Sequence, residues 1–449
     1  MGERRNTMII EFRVRNWMSF KEESILNLLP GKVSEYPQNV TNTTPKVLKS
    51  AAFYGSNASG KSNFFKAIQY YRKFTIYSQQ QQQSGDKTRR IPFKLDIADI
   101  ASPTTLEMTF LTKNGQTYRY GYSLDDEKIY EEWLEFIKPT GKVISLLERD
   151  TSQDELFIDK KLLNSGMSAD VIKLTVNENS LVLSFLNSIR SEIAHDIVDY
   201  MKQIIFLDNT NEIFMGKTER LEIIENDIYK QQLLNLLKAA DLGIENIKAR
   251  KRERYIQEED NLPKEIREYI EAQDIELFVS HNLYRQGKQT GKLVEMPYED
   301  FESQGTKKIV SLAHKIINAI KYGRVIVVDE LDTQLHPLML RAIVGIFNNE
   351  LNANNAQLLF TTHDITLIDR AARLFRRDQI WFTDKKANDQ SELFSLYDYK
   401  YSDDKTSKDF KSIRKDENFA KNYLKGKYQA VPIITDLMKH IEWEVDADE

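Results

Sequence analysis

Apolar and polar residues alternate over residues 8–15, which predicts a β-strand near the start of the chain. Four similar runs follow at residues 104–112, 117–124, 129–137 and 142–148. Turn sequences separate these runs, so the pattern predicts an antiparallel meander. Ahead of the meander, residues 62–75 are predicted to form a helix, and the glutamine run at 79–83 is predicted to form a loop.

Helical periodicity replaces the alternation from about residue 160 to residue 272. Six apolar residues there have the spacing of helical faces: Leu221, Ile224, Ile228, Leu233, Leu234 and Leu237. Short apolar runs then predict strands at 275–283, 324–329, 358–363 and 379–383. The pattern as a whole predicts an α/β protein that contains an antiparallel β part and a helical insertion.

A complete phosphate loop of the form Gly-x-x-x-x-Gly-Lys-Ser lies between an apolar run and the first predicted helix. The loop consists of Gly55, Ser56, Asn57, Ala58, Ser59, Gly60, Lys61 and Ser62, and Asn63 follows it. Its glycines allow backbone N–H groups to surround phosphate oxygens. Lys61 is suited to the β- and γ-phosphates and the Ser62 hydroxyl to Mg²⁺, so the loop predicts nucleotide binding.

Two carboxylates, Asp329 and Glu330, follow a strand of only apolar residues. Such a buried parallel strand places the residues after it at the carboxyl edge of the sheet. We expect Asp329 to hold Mg²⁺ through water and Glu330 to orient or deprotonate an attacking water. His363 follows the next apolar strand and is predicted at the same edge, although a lone histidine is more often structural.

Ser303, Gln304, Gly305 and Thr306 begin a helix with apolar periodicity, and its N-terminus predicts an anion site. His336 and Pro337 predict another helix start, for which a structural role is favoured. Arg13 and Trp17 lie ahead of the phosphate loop. Contact with a nucleotide base and a purely structural role are equally compatible with their position.

Composition excludes several other classes. The 449 residues are 41% hydrophobic, enough for two or three units with a large core. A net charge of -5 argues against a uniformly basic nucleic-acid coat, and the absence of cysteine excludes disulfides and cysteine-ligated zinc. The six histidines form no close ligand pairs. No signal peptide or membrane-length apolar run occurs, so we expect a cytoplasmic protein without membrane contact, starting at Met1 or Met8.

The order and spacing of these motifs resemble the ATPase head of the ABC/SMC superfamily. Within it, the chain is similar to the prokaryotic abortive-infection ATPases related to the overcoming-lysogenization nucleases, including Rlo-type proteins. The similarity lies in residues 53–63, 302–306, 329–337, 361–364 and 422–432. It implies that ATP and Mg²⁺ are bound, that Ser303 to Thr306 form the signature, that Asp332 belongs to the D-loop, and that His363 senses the γ-phosphate. Lys61, Glu330 and His363 would then be catalytic.

The resemblance also implies a homodimer in which the signature of one subunit covers the nucleotide of the other. Three features depart from the superfamily pattern. No glutamine can be assigned to the Q-loop, and long coiled-coil arms with a zinc hook are missing. The 86 residues after His363 are too few for a Toprim nuclease domain, so we expect no intrinsic nuclease activity.

The first function hypothesis is an ATP-dependent sensor, scaffold or regulator of a separately encoded, nuclease-like effector in anti-phage defence. The alternative is a RecF-like repair ATPase that binds DNA through the basic residues at 248–254 and the lysine-rich stretch 400–427. A solvated helix face is favoured for the first stretch, and a solvated or partner-docking helix for the second. A transporter ATPase subunit is disfavoured by the long insertion.

The predicted fold class is α/β, an ABC-type P-loop NTPase head with an antiparallel β subdomain and a helical insertion. We expect an ATPase lobe with the phosphate loop and meander at 1–155, and the helical insertion at 156–272. A second ATPase lobe with the signature helix, the Asp329 strand and His363 is expected at 273–399. A helical tail with a frayed acidic end is expected at 400–449.

Overall fold

The computed structural model describes residues 7–81, 83, 85–163, 167–207, 217–251, 275–386, 388–401 and 411–431. Its strands are β1 (Met8–Arg15), β2 (Ser24–Asn27), β3 (Ser50–Tyr54), β4 (Thr104–Leu111), β5 (Thr117–Leu124), β6 (Ile129–Ile137), β7 (Val143–Asp150), β8 (Glu155–Ile158), β9 (Ile205–Leu207), β10 (Asn246–Lys251), β11 (Ile275–Arg285), β12 (Lys288–Pro297), β13 (Val325–Val328), β14 (Gln357–Thr361), β15 (Ile380–Lys385), β16 (Ser391–Ser395), β17 (Lys400–Tyr401) and β18 (Lys411–Ser412).

The α-helices within the described residues are α1 (Lys61–Gln81), α2 (Ile97–Ala101), α3 (Ala169–Thr175), α4 (Val182–Ser188), α5 (Glu192–Gln203), α6 (Lys217–Glu225), α7 (Asp227–Ala239), α8 (Tyr298–Phe301), α9 (Gln304–Tyr322), α10 (Pro337–Phe347) and α11 (Phe419–Leu424). The glutamine run was predicted to be a loop, but α1 continues to Gln81. The prediction is wrong at residues 79–81, because glutamine is a good helix former and extends a helix that is already packed.

A six-stranded, mainly parallel sheet occupies the centre of the fold, in the order β16-β15-β3-β14-β13-β9. β3 lies between β14 and β15 and is parallel to both, while β13 is parallel to β14 and β9. β16 joins the edge in antiparallel orientation. β3, β13 and β14 are buried along their whole length, as expected for strands covered on both faces.

Helix α1 lies between this sheet and a seven-stranded antiparallel sheet of order β2-β1-β4-β5-β6-β7-β8. Phe64 of α1 contacts Phe12 of β1 edge-on with a centroid distance of 5.6 Å and also packs on Phe53 of β3. Tyr71 of α1 stacks on Tyr122 of β5 at 5.4 Å. The predicted meander is confirmed, and its aromatic face joins the two sheets through one helix.

The opposite face of the parallel sheet is covered by α9, α10 and the segment 413–431. Tyr423 stacks on Phe382 of β15 at a centroid distance of 5.4 Å, and Tyr428 lies 5.5 Å from the same ring. The stretch 400–427 was predicted to be a solvated or partner-docking helix. Its described part is helical only at Phe419–Leu424. That helix is not fully solvated, because Ala420 and Tyr423 are buried against the sheet. The prediction of a solvated helix over the whole stretch is therefore wrong. Residues 402–410 and the acidic end lie outside the described residues.

A third core contains α6, α7, α9 and the three-stranded sheet β10-β11-β12. The helical prediction for residues 160–272 is therefore wrong at β9 and β10. The predicted face of Leu221, Ile224 and Ile228 is also wrong, because Asn226 starts a new helix and breaks the period. Ile228 is consequently 75% exposed, while Ile223 is buried. The remaining predicted residues, Leu233, Leu234 and Leu237, are buried.

The predicted α/β class is confirmed: the chain has a mainly parallel core sheet and a separate antiparallel sheet. The predicted domain boundaries stay a prediction. β9 lies within the predicted insertion yet pairs with β13 in the central sheet.

Candidate functional site

The phosphate loop joins the end of β3 to the start of α1. Gly60 has a φ of 113°, and a Cβ there would lie 2.4 Å from the Ser391 hydroxyl oxygen. A Cβ on Gly55 would lie 2.4 Å from the carbonyl oxygen of Thr383. Both glycines are therefore required by the close approach of β15 and β16, in addition to any requirement of a ligand.

Side chains from two other parts of the chain hold the loop. The hydroxyls of Ser59 and Thr383 share a hydrogen bond of 2.6 Å. Trp17 Nε1 donates to the carbonyl oxygen of Asn63 at 3.0 Å, and the Asn63 amide donates to Ser19 Oγ at 2.9 Å. Trp17 is 2% exposed and thus has a structural role, which resolves that alternative for this residue.

Arg13, the other residue considered for a base contact, belongs to β1. Its guanidinium lies 2.7 Å from a Glu11 carboxylate oxygen and 3.5 Å from Glu107. These contacts account for Arg13 as part of the charged surface of the antiparallel sheet.

Lys61 is buried at the first position of α1. Its Nζ donates to the carbonyl oxygens of Gly55 at 2.7 Å and Ser56 at 3.1 Å, which places the ammonium group inside the curve of the loop. Burial lowers the pKa of Lys61, and the negative charges of three nearby acids, Asp329, Glu330 and Asp332, oppose this shift. The ammonium group is thus the positive centre of an otherwise acidic edge.

Asp329 and Glu330 follow β13 as predicted, and a residue of the neighbouring strand fixes both. Thr361 Oγ1 donates to Asp329 Oδ1 at 2.7 Å and accepts from the Glu330 N–H at 2.6 Å. The Asp329 N–H donates to the carbonyl oxygen of Leu207 in β9 at 3.1 Å. Glu330 has a φ of 56°, a left-handed conformation that non-glycine residues adopt at an energetic cost.

His363 and Asp332 are joined through the backbone. The His363 N–H donates to Asp332 Oδ2 at 3.0 Å, so Asp332 holds the segment that carries the histidine. Partial burial lowers the pKa of His363, and the positive charge of Lys61 lowers it further. The imidazole is therefore neutral at physiological pH, with a side chain that can donate or accept a hydrogen bond.

One cleft brings most of the predicted residues together. It has a volume of about 290 Å³ and is lined by Asn57, Ala58, Ser59, Gly60, Lys61, Ser62, Asn63, Glu330 and His363. Gly55 and Ser56 accept from Lys61 just behind this lining, and Asp329 is next to Glu330. The signature residues are not among the lining.

The predicted signature lies at the start of α9. Ser303 is its N-cap, and its Oγ accepts from the Thr306 N–H at 3.1 Å. Lys308 is buried and donates from Nζ to the carbonyl oxygen of Thr333 at 2.6 Å, so α9 is attached to the segment that follows Asp332. Ser303 and Gln304 remain exposed at the helix end.

The donor groups of the cleft suit a nucleoside triphosphate with Mg²⁺. The loop backbone, the α1 N-terminus and Lys61 are complementary to phosphate. Ser62 and Asp329 are oxygen ligands of the kind that Mg²⁺ takes together with substrate phosphates and water. The fit depends on the loop, where the ammonium group of buried Lys61 lies inside the curve of the backbone.

The residues that hold this site were not found from the sequence. Thr361 is next to Asp329 because β13 and β14 are parallel with Val328 opposite Phe360. Aligning the two apolar runs as parallel neighbours, with their carboxyl ends level, would have indicated this contact. Thr383 and Ser391 gave no signal, since they lie in strands far from the loop in sequence.

Residues 50–369 match the family model described as "AAA domain, putative AbiEii toxin, Type IV TA system". The chain belongs to this family. No curated protein matches the chain significantly. As a member of the AAA family, the chain carries its phosphate loop, Asp329, Glu330 and His363 all within the matched residues.

Three solved structures of SMC heads have a backbone fold similar to that of this chain. The SMC head bound to the C-winged helix domain of ScpA has 12% identity and a TM-score of 0.44, covering 86% of this chain and 98% of its own. The SMC head domain from Thermotoga maritima has 13% identity and a TM-score of 0.35, with the same coverage. The SMC head with an extended coiled coil, bound to the C-terminal domain of ScpA derived from Pyrococcus furiosus, has 11% identity and a TM-score of 0.41, covering 87% and 96%.

Within the described ranges, none of the helices combines the length and the apolar character that a membrane crossing requires.

Proposed function

We propose that this AAA-family protein binds and hydrolyses ATP with Mg²⁺ and forms a homodimer around the nucleotide. The observation that carries the proposal is the single cleft shared by Lys61, Glu330 and His363, which come from three separate motifs. Phosphoryl transfer needs mainly positioning and charge stabilisation, and these residues offer both.

Each residue has a proposed role. Lys61 binds the β- and γ-phosphates, and Ser62 and Asp329 hold Mg²⁺. Glu330 orients or deprotonates the attacking water, for which its place at the cleft wall and its fixed backbone are suitable. His363, neutral at physiological pH, contacts the γ-phosphate, and Asp332 positions it through the backbone.

Dimerisation follows from the place of the signature. Ser303 to Thr306 form an exposed helix N-terminus, the kind of group that binds phosphate, but they do not line the cleft of their own chain. A second copy related by a two-fold axis would supply them in trans, giving two composite sites. The proposed contacts from across the interface are Ser303, Gln304, Gly305 and Thr306.

For the biological role we favour an ATP-dependent sensor or regulator of a separate, nuclease-like effector in anti-phage defence. The family description, which names a putative toxin and a toxin–antitoxin system, supports this class of role. The motif resemblance extends it to the Rlo-type, overcoming-lysogenization-like ATPases. The RecF-like alternative loses part of its support, because Lys248 and Arg250 both pair with Glu295.

The test is the Glu330→Gln variant. Removal of the proposed base should lower the ATPase rate by about 10²- to 10³-fold while ATP still binds. The variant should therefore accumulate as an ATP-bound dimer, measured by light scattering with and without Mg²⁺-ATP. A variant that stays monomeric with ATP while the wild type dimerises would refute the composite site, and an unchanged ATPase rate would refute the role of Glu330.

A further inference from the structure

The hairpin of β11 and β12 ends in an exposed basic tip, residues 283–293, here called the basic hairpin. Every residue of this segment is exposed. Its first arm has three residues before the turn at 286–287 and its second has six after it, so the tip extends about 10 Å from the point where the strands leave the core. It carries three cations, Arg285, Lys288 and Lys292, and contains no acidic residue.

Two of these cations face each other across the turn. Arg285 is opposite Lys288 in the strand register, and Gln286 and Gly287 between them both have positive φ, 49° and 77°. A two-residue turn of this kind holds the arms in a tight ribbon. Like charges that are directly opposite on a ribbon destabilise it. The arrangement therefore opposes folding stability, and a negatively charged ligand would relieve the repulsion.

The basic hairpin differs from the neighbouring strand β10 in the charges around its cations. Among the described residues, no carboxylate lies within ion-pair distance of Arg285, Lys288 or Lys292. On β10, by contrast, Lys248 and Arg250 are both paired with Glu295. The basic hairpin thus retains its full positive charge. The described part of the stretch 248–254, which was predicted as a solvated helix face, is instead a strand in which Lys248 and Arg250 share one carboxylate.

We infer that the basic hairpin binds duplex DNA, entering a groove as a two-stranded ribbon whose cations contact the phosphates. The major groove of B-form DNA is about 12 Å wide and admits such a ribbon. The deep, narrow major groove of A-form RNA does not. Around the cations, Gln286, Gln289 and Thr290 add hydrogen-bonding groups, and Tyr284, 57% exposed, adds a ring.

The hairpin is connected directly to the signature. His281 lies on β11, and its Nε2 is 2.8 Å from an oxygen of Glu302, the residue before Ser303. The His281 ring also contacts Phe301, with a centroid distance of 5.3 Å. DNA on the hairpin can therefore alter the position of the signature through His281, a positioning residue. This second part of the inference depends on the ATPase function proposed above.

Binding is tested with the full chain, without nucleotide, by the fluorescence anisotropy of labelled duplex DNA over a series of salt concentrations. The Arg285→Gln/Lys288→Gln variant should bind more weakly, and its slope of log K against log salt should be smaller by about 2. The matched control is Lys138→Gln/Lys142→Gln. It removes the two exposed cations that flank the turn between β6 and β7.

The control should bind like the wild type, and duplex RNA should compete less well than duplex DNA. Equal binding by the two double variants, no binding by the wild type, or equal competition by RNA would overturn the inference. Circular dichroism melting of each variant excludes loss of folding as the cause of a difference.

The connection to the signature is tested by the ratio of the ATPase rates with and without DNA. His281→Ala should abolish the DNA dependence and keep the DNA affinity, while His281→Gln, whose amide can donate to Glu302, should retain part of it. A ratio unchanged in His281→Ala would overturn the connection. A wild type that binds DNA at the hairpin but hydrolyses no ATP would instead refute the proposed function and leave the DNA-binding result intact.

Discussion

A single hydroxyl group, that of Thr361, contacts both acids at the end of β13. It orients the Asp329 carboxylate from the side and accepts from the Glu330 N–H, so it fixes one side chain and one backbone unit. The left-handed φ of Glu330 makes the second contact important, because a strained conformation persists only where its surroundings hold it. Thr361 is therefore a supporting residue of the proposed Mg²⁺ site.

Replacing Thr361 by Val should lower the apparent Mg²⁺ affinity and the ATPase rate by about 10- to 100-fold, the usual effect of losing a group that orients a metal ligand. Thr361→Ser keeps the hydroxyl and should restore most of the activity. A Mg²⁺ titration of the ATPase rate measures both variants. If Val and Ser give the same rate, the hydroxyl has no part in the site.

Glu132 is the residue that attaches the insertion to the meander. This fully buried carboxylate of β6 accepts from the first N–H groups of α4, Val182 at 2.8 Å and Leu183 at 2.9 Å. It also accepts from the Tyr120 hydroxyl at 2.9 Å and lies 3.8 Å from Arg149. Burial raises the pKa of Glu132, and the hydrogen bonds oppose that shift.

The Glu132→Gln substitution replaces one accepting oxygen by a donor that faces other donors. We expect the free energy of unfolding to fall by about 3 kcal/mol, as for the loss of one partner in a buried charge pair. Urea unfolding followed by circular dichroism measures the change. The matched control, Glu131→Gln, alters the exposed neighbour and should have almost no effect; equal losses in both variants would contradict this role of Glu132.

Helix α9 carries a buried histidine behind the signature. His314 Nδ1 lies 2.5 Å from the Tyr229 hydroxyl, and its Nε2 lies 2.8 Å from the Asn318 amide. Burial, with smaller contributions from Lys315 and Arg324, lowers the pKa of His314 to about 3, although Glu222 is 3.6 Å away. The histidine is therefore neutral in the folded protein.

The pH dependence follows from the sign of this shift. An unfolded histidine takes up a proton near pH 6.5, whereas folded His314 resists protonation down to about pH 3. Its effect on stability is absent above pH 6.5 and becomes unfavourable as the pH falls, by up to about 1.4 kcal/mol per unit. Urea titrations from pH 7 to pH 5 should show a steeper loss in the wild type than in His314→Gln. Parallel curves would show that His314 is protonated alike in both states.

Elements with a strong local pattern were predictable, and those defined by distant contacts were not. The meander and the strands before Asp329 and His363 follow from alternation and from apolar runs between turns. β9 has only three residues, and its place in the sheet depends on pairing with β13. Among the site residues, the motif members could be predicted because their chemistry restricts their types, whereas Thr361 and Thr383 depend on strand neighbours.

At the scale of the whole molecule, the proposed dimer has a direct test by mixing two inactive variants. Lys61→Ala removes the phosphate-binding side of a site, and a bulky Ser303→Arg blocks the signature side. In a mixed dimer, one site combines the intact Lys61 of one chain with the intact Ser303 of the other. An equal mixture should regain about a quarter of the wild-type ATPase rate, since half of the dimers are mixed and each has one intact site. No recovery upon mixing, with exchange of subunits verified, would exclude composite sites.

The central sheet also determines when during synthesis the protein can become active. β3, which leads into the phosphate loop, has β14 and β15 as its two neighbours in the sheet. Ile9 exchanges hydrogen bonds with Gln357, 348 residues later. Such long sequence separations slow folding, because distant segments must meet before any contact stabilises the sheet. At ordinary ribosomal speeds, the stretch up to β15 takes about 20 to 80 s to synthesise. Until β14 and then β15 have been made, the phosphate loop lacks its neighbouring strands, so under the proposed function we expect no ATP hydrolysis by a nascent chain before β15 is complete.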